Sequence, residues 1–541
     1  MRKKLATKIC AIVMTAAMIG TMAGCGNDSG SNASDSTPQS ESGSSEEQGG
    51  ADNASDETPA DEGGEAEGGE EAGGEEETYD FGGAVVRVEG GIFSDLNEES
   101  KLDEEGNVKT GYTKKRDIAD QLEQKYNIKI EYVTRITDGY DEISSRLTPI
   151  TNGEAHADIF TGGDEVTIGL RDYLADITAD VDQLEIGDTY IEPARWNGKV
   201  YGWTYDNMGS CYVLCYSREY LNSIGMDETP TDKFMKGEWD YDSCREYLNE
   251  MKSKLPDGTY PIAVHSNHWV SMAPAANGVV SVDSDGNINL TDDAYISALN
   301  FYQSLIDNQL TAPAENVEIA ENGGISADQL GDAGMSGMSG KTEGNSYVIT
   351  MVEAWQYQYM LNDKGEWGIV PFPWDPNYTT IDESKLGQPD AYTTLSDSYL
   401  APQSIWTNVM VPKAEYRGEG AKDIPDIVLH KIAQEFCDMD SPDGAAVRHA
   451  AWEAESKGEK YENYGYKPGD PGHFSTPEDI EVFDWLHTRA TVDWGHAFNG
   501  NTVVRVNRNG YYVLAAGRDA RTTGESFTVE GEQNMKDMGL K

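Results

Sequence analysis

A chain of 541 residues with 96 Asp and Glu against 41 Lys and Arg carries a formal net charge of -55. That surface repels phosphate backbones and anionic headgroups, which argues against nucleic acid and against an anionic bilayer as partners. No apolar run beyond Gly24 approaches membrane-spanning length, so no transmembrane helix is expected after that point.

The opening MRKKLATK is basic, and the ICAIVMTAAMIGTMAG behind it is apolar, short and rich in small residues, the pattern of a signal peptide. It ends in Met22-Ala23-Gly24-Cys25, which resembles a lipobox: small residues before a cysteine fit a signal peptidase, and the thiol takes a diacylglycerol. Residues 1–24 are therefore expected to be removed and Cys25 to be lipidated, with the bilayer a partner through that anchor only. From Gly26 to Thr78 there is no Lys, Arg, aromatic or large aliphatic residue. Residues 25–78 are expected to be a disordered tether, kept extended by about 17 carboxylates.

The remaining stretch of about 460 residues exceeds what one compact core normally holds and suffices for two lobes. Ala84-Val85-Val86-Arg87-Val88 is a β-branched run stopped by Gly90-Gly91, and reads as a first strand. Ile118, Leu122 and Tyr126 recur four apart, then Ile128, Ile130 and Tyr132 alternate, so the period switches from helix to strand at Asn127. That is a βαβ unit. A short strand at Ala157-Asp158-Ile159-Phe160 runs into the turn Thr161-Gly162-Gly163-Asp164.

Further helices show as apolar stripes: Cys244, Tyr247, Leu248 and Met251, capped by Asp240 or Asp242; Tyr295, Leu299, Tyr302 and Ile306; and Leu429, Ile432, Ala433 and Phe436. Strands recur between them at Val348–Met351 and Gly368–Val370, so the class is mixed α/β. Of six cysteines, Cys10 lies in the leader and Cys25 takes the lipid, leaving Cys211, Cys215, Cys244 and Cys437. In an extended CYVLCY segment Cys211 and Cys215 sit about 13 Å apart, beyond disulfide reach. Both disulfides elsewhere and small buried thiols remain open.

Several segments in order resemble the extracellular solute-binding proteins of ABC importers, in the large sugar-binding group (family 1) that includes maltose-binding proteins. They are KYNIKIEYV, ADIFTGGDE followed by LADIT, WNGKVYGWTYDNMGSCYVLCYSREYLNSIGM, GEWDYDSCREYLNEMKSKL, DGNINLTDDAYISALNFYQSLI and GEWGIVPFPWDPN. The resemblance implies a two-lobe periplasmic-binding-protein-like α/β fold with several hinge crossings and the ligand in the cleft. The first lobe would comprise 79–207 and 371–440, the second 208–370 and 441–541, with crossings near Thr204–Ser210, near Val370–Trp374 and after about Asp438. The stretch from Trp452 to Asn499, rich in Trp and Tyr, departs from the family pattern.

A sugar offers directed hydroxyls and flat C–H patches, so aromatic faces with a few amides and carboxylates hold it. The chain has 11 Trp and 29 Tyr, and five loci join an aromatic or carboxylate to a turn or strand end. The resemblance places ligand contacts at Asp164, Glu165, Tyr205, His268, Trp269, Glu353 and Trp355; Trp406 is added on the same chemistry. Trp239, at a helix start, is assigned to packing.

GMSGMSGKT at 334–342 is discounted as a phosphate loop because Met335 stands where its first glycine belongs. SVDSDGNINLTD at 281–292 lacks Asp at the first and Glu at the last calcium-loop position, and reads as a turn and helix cap. There is no G-x-S-x-G, no H-E-x-x-H and no dinucleotide glycine pattern, and the pair His265 and His268 is not a metal motif. The expectation is a monomeric, non-enzymatic, lipid-anchored receptor on the outer face of the cell membrane. It would use no cofactor or metal and pass a carbohydrate to ABC permease subunits. A surface glycosidase is the alternative.

Overall fold

The computed structural model describes residues 79–103, 106–136, 142–205, 212–263, 266–311, 341–342, 345–353, 367–403, 407–440, 476–497, 503–514 and 516–541. The first half of the fold runs β1 (Ala84–Glu89), α1 (Thr110–Tyr126), β2 (Ile128–Tyr132), α2 (Glu142–Thr151), β3 (Ile159–Gly162), α3 (Asp164–Leu170) and β4 (Gly202–Thr204). A second set follows: β5 (Tyr212–Ser217), α4 (Tyr241–Lys254), β6 (Thr259–Ala263), α5 (Ser266–Met272), α6 (Asp293–Asp307), β7 (Asn345–Glu353), β8 (Trp367–Val370) and β9 (Ala401–Gln403). The chain then forms β10 (Asn408–Met410), α7 (Asp426–Asp440), α8 (Pro477–His487), β11 (Ala490–Val492), α9 (Val506–Leu514) and α10 (Ala520–Met538).

The expected βαβ unit is present, and its local cause is visible. Ile118, Leu122 and Tyr126 bury one face of α1, and Asn127 then adopts φ 45°, its N–H bonding to the Glu123 carbonyl. An αL residue ends the helix and turns the chain at once into β2, as asparagine tolerates. The strand pairs parallel to β1 in the register Val86↔Ile130, so that both side chains enter the core.

Two sheets organise the two lobes. The first has the order β2-β1-β3-β10-β4, the second β8-β5-β7-β6. In the first, β1, β2 and β3 are parallel while β10 lies antiparallel between β3 and β4. In the second, β7 is antiparallel to β5 and parallel to β6. The stripes read from sequence are buried: Cys244, Leu248 and Met251 on α4, Tyr295 and Leu299 on α6, and Leu429, Ile432, Ala433 and Phe436 on α7. Asp240 caps α4 by accepting from the Asp242 and Ser243 amides. Trp239 is fully buried, its indole N–H donating to the Pro371 carbonyl at 3.0 Å.

One boundary moves. The return to the first lobe was expected at 371, but Phe372, Trp374, Leu395 and Tyr399 share a core cluster with Tyr212, Leu214 and Ile349 of the second sheet. The physical reason is an aromatic nucleus around Phe234, which meets Trp374, Tyr392, Tyr399 and Trp485 edge-on or tilted at 5.5 to 6.3 Å. The chain returns only between Gln403, paired into β9–β11, and Asn408, paired with β3 and β4. Helix α8 is tied to the second lobe by Asp479, which is fully buried and accepts from Arg218 Nη2 at 2.7 Å. In the Trp- and Tyr-rich stretch, Trp485 joins that nucleus and Trp494 packs edge-on against Trp196.

Cys215, Cys244 and Cys437 are free thiols, and Cys211 lies outside the described residues. Burial pushes the Cys215 and Cys244 thiols well up from their ordinary range. The turn at 281–292 uses its own carboxylates. Asp283 accepts from the backbone of Asp285 and Asn287, and Asp292 caps α6 through the Ala294 amide.

Candidate functional site

Strand β1 has β2 on one side and β3 on the other, so the chain leaves it in opposite directions and opens a crevice at the carboxyl ends of the strands. Such switch points are where open α/β sheets hold ligands. Here the crevice is bounded by Gly90-Gly91 after β1 and by Gly163-Asp164-Glu165 after β3. Because β3 and β4 are both antiparallel to β10, the end of β4 at Thr204-Tyr205 lies on the same edge. The Thr204 hydroxyl is 2.7 Å from that of Thr407, which anchors the returning chain there. Gly91 has φ 42°, and a Cβ on it would collide with the Tyr205 hydroxyl and come within 2.7 Å of Thr161 Oγ1. Glycine is needed so that Tyr205 can close over the turn.

Asp164 is buried at the first turn of α3, where the helix amides favour negative charge, and its Oδ1 accepts from the Glu165 amide at 2.8 Å. Burial first, then the charge of Asp164 and a hydrogen bond to it, pushes the Glu165 carboxyl up to about 9. Burial and the adjoining Asp164 charge thus favour one proton held by the Asp164–Glu165 pair, which offers a donor beside an acceptor. Behind them Arg146 grips Glu89 with both Nη atoms at 2.9 Å and Glu142 at 2.7 Å, its guanidinium 4.2 Å over the Phe160 ring. All three charged groups are buried, and Arg135 reaches the outer oxygen of Glu142 at 3.2 Å. This network clamps α2 to the ends of β1 and β3. The i, i+4 spacing of Glu142 and Arg146 was visible in sequence, but Glu89 joins them only through the sheet.

The second-lobe residues fare differently. Trp269 is fully buried, stacked on Phe301 and Tyr302, edge-on to Phe372, with its N–H donating to the Ala298 carbonyl at 3.1 Å. With no exposed surface and its polar edge occupied, the ring is core, and its expected ligand contact is withdrawn. His268 lies on α5 and Glu353 ends β7 opposite Tyr212, but neither side chain is among those described. Trp355, Trp406 and Cys25 lie outside the described residues, as do 264–265 and the acidic stretch before Tyr79.

The sequence reading missed Gln403. It ends β9, is 1% exposed, and neither its Oε1 nor its Nε2 has a hydrogen-bond partner. A buried amide left wholly unpaired is uncommon and marks a place where a ligand or water completes the bonding. Strand β9 packs against α5 and β5, and only three residues separate Gln403 from Thr407 at the first-lobe edge. Chain length therefore keeps it within roughly 14 Å of that anchor. Its only signal in sequence was a polar residue directly before the Ser404-Ile405-Trp406 locus.

No protein-family model matches the chain, and no curated protein sequence does. Many solved structures share its fold. One is the sugar-binding protein MalE from the phytopathogen Xanthomonas citri, with a TM-score of 0.53, 14% identity, and coverage of 84% of this chain and 97% of that one. Another is a cyclo/maltodextrin-binding protein complexed with maltotetraose, with a TM-score of 0.50, 13% identity, and coverage of 85% and 98%. At this identity the likeness establishes the two-lobe periplasmic-binding-protein-like fold. Both of these neighbours are binding proteins.

Proposed function

We propose that the chain is the carbohydrate receptor of an ABC importer, anchored to the outer face of the membrane through a lipid on Cys25 and working as a monomer without chemistry of its own. The observation that carries this reading is the buried, unpaired amide of Gln403 close in sequence to the strand-end edge that bears the acid pair. Asp164, Glu165 and Tyr205 stand at the carboxyl ends of β3 and β4, and Gln403, buried with its amide unpaired, ends β9 shortly before Thr407 on that edge. A protonated carboxyl, a carboxylate, a phenol and an amide together offer donors and acceptors to a neutral polyol without presenting a net cation. His268, Glu353, Trp355 and Trp406 are proposed as the remaining contacts. A ligand touching both lobes favours their closed arrangement, and that difference in affinity drives closure.

The glycosidase alternative is disfavoured by geometry. Asp164 and Glu165 are adjacent and hydrogen-bonded to each other, whereas glycosidase carboxyls flank the scissile bond at least about 5 Å apart. Incubation with a panel of mono- and oligosaccharides, followed by calorimetry and product chromatography, tests the reading. Saturable heat with intact ligand supports it, released products support the glycosidase, and absence of binding across the panel rejects both.

A further inference from the structure

A second polar site lies away from the cleft, between α9 and α10. There a cavity of about 570 Å³ is lined by Arg505, Arg508, Arg518, Tyr512, Thr522 and Ser526 among others. Its construction follows from local packing. Tyr512 stacks on Phe527 with ring centroids 5.9 Å apart, which gives a rigid aromatic floor. The Arg518 guanidinium lies 3.9 Å over the Tyr512 ring, so its plane is fixed while its N–H groups stay free to donate. Arg505 pairs with Glu530 at 2.9 Å and holds φ 55°, a left-handed backbone that only its surroundings impose. Arg508 has no hydrogen-bonded carboxylate partner among the described residues, and burial, then the neighbouring Arg505 charge, lowers its pKa against the weaker attraction of Glu530, which also lines the cavity. The nearby Asp519 is already engaged: its carboxylate caps α10 by accepting from the Thr522 amide at 2.8 Å.

Setting Glu530 against Arg505 leaves two guanidiniums facing one capping carboxylate. That local excess of positive charge stands out in a chain whose net charge is -55. Like charges are held together at a cost unless an anion sits between them. We infer that this cavity binds a phosphate-bearing anion. Guanidinium forks match phosphate oxygens in two-point contacts, and a tetrahedral group can meet donors arriving from several directions, as a planar carboxylate cannot. The hydroxyls of Thr522 and Ser526 supply further donors at the rim. The inference does not depend on the carbohydrate reading, because none of the cleft residues lines this cavity.

The test uses the full chain with Cys25→Ser, so that no lipid anchor contributes. Inorganic phosphate is titrated by calorimetry, and retention is measured on phosphatidylcholine vesicles with and without phosphatidylglycerol. Phosphate should bind, and Arg508→Gln or Arg518→Gln should each weaken it roughly tenfold or more, as expected for loss of charge-assisted hydrogen bonds. Carbohydrate affinity should not change. Phosphate binding with no preference for phosphatidylglycerol assigns a free anion, while Arg-dependent retention on phosphatidylglycerol vesicles assigns a lipid headgroup. If neither probe binds, or if binding survives both substitutions, the inference is overturned.

Discussion

Replacing Arg146 with methionine tests whether the buried charge network holds the candidate site together. Arg146 is 3% exposed and supplies both oxygens of Glu89, itself fully buried, as well as the inner oxygen of Glu142. Methionine fills most of the volume and keeps an apolar contact with Phe160, so the loss is electrostatic rather than a cavity. Glu142 retains Arg135 at 3.2 Å, but Glu89 keeps only the Ile136 amide at 3.1 Å. One buried carboxylate is then uncompensated, and breaking such a pair costs roughly 3–5 kcal/mol. Urea unfolding followed by tryptophan fluorescence should show that loss, with a smaller loss in Glu89→Gln/Arg146→Met than the sum of the two single changes. A loss under about 1 kcal/mol, or strict additivity in the double variant, would mean that the pair is hydrated and does not clamp α2 to the sheet.

Gln403→Leu should raise stability by about 1–3 kcal/mol, because it removes an unpaired buried amide, and should weaken carbohydrate binding; a variant that is less stable and binds as tightly as the parent contradicts the assignment. Glu165 has a folded pKa near 9, above its ordinary value, so the folded state holds the extra proton and stability falls as pH rises from about 4.5 to about 9. Glu165→Gln should remove that slope and leave ligand affinity at neutral pH nearly unchanged, which pH-dependent melting and calorimetry check. His430 is fully buried with both ring nitrogens unpaired, and burial together with the Arg417 charge lowers it to about 3. Its unfolded form takes up a proton first as pH drops below 6.5, so stability is lost between about 6.5 and 3, by up to roughly 1.4 kcal/mol per pH unit. His430→Leu should flatten that acid limb and gain about 1–3 kcal/mol near neutrality; an unchanged limb would show that the ring is hydrated.

Much of the architecture was legible because its causes are local. Apolar period and capping chemistry marked β1, α1, β2, α4, α6 and α7 within a few residues, and Asn127 carried the helix-to-strand switch in its own αL preference. The acid pair was visible for the same reason: a Gly-Gly turn before Asp164 and Glu165 announces a strand end opening into a helix. What sequence could not supply were the relations between distant segments. Glu89 meets Arg146 across 57 residues only because β1 and β3 are neighbours. Trp269 looked like a cleft aromatic, since a ring on a short helix after a strand carries no mark of which side will be covered. Phe301, Tyr302 and Phe372 arrive from other elements to bury it. The boundary near 371 was misplaced for the same cause, an aromatic nucleus around Phe234 that recruits residues far along the chain. Gln403 is the sharpest case: its amide matters because it is buried without a hydrogen-bond partner, and that is a property of packing in three dimensions, which no local spacing encodes.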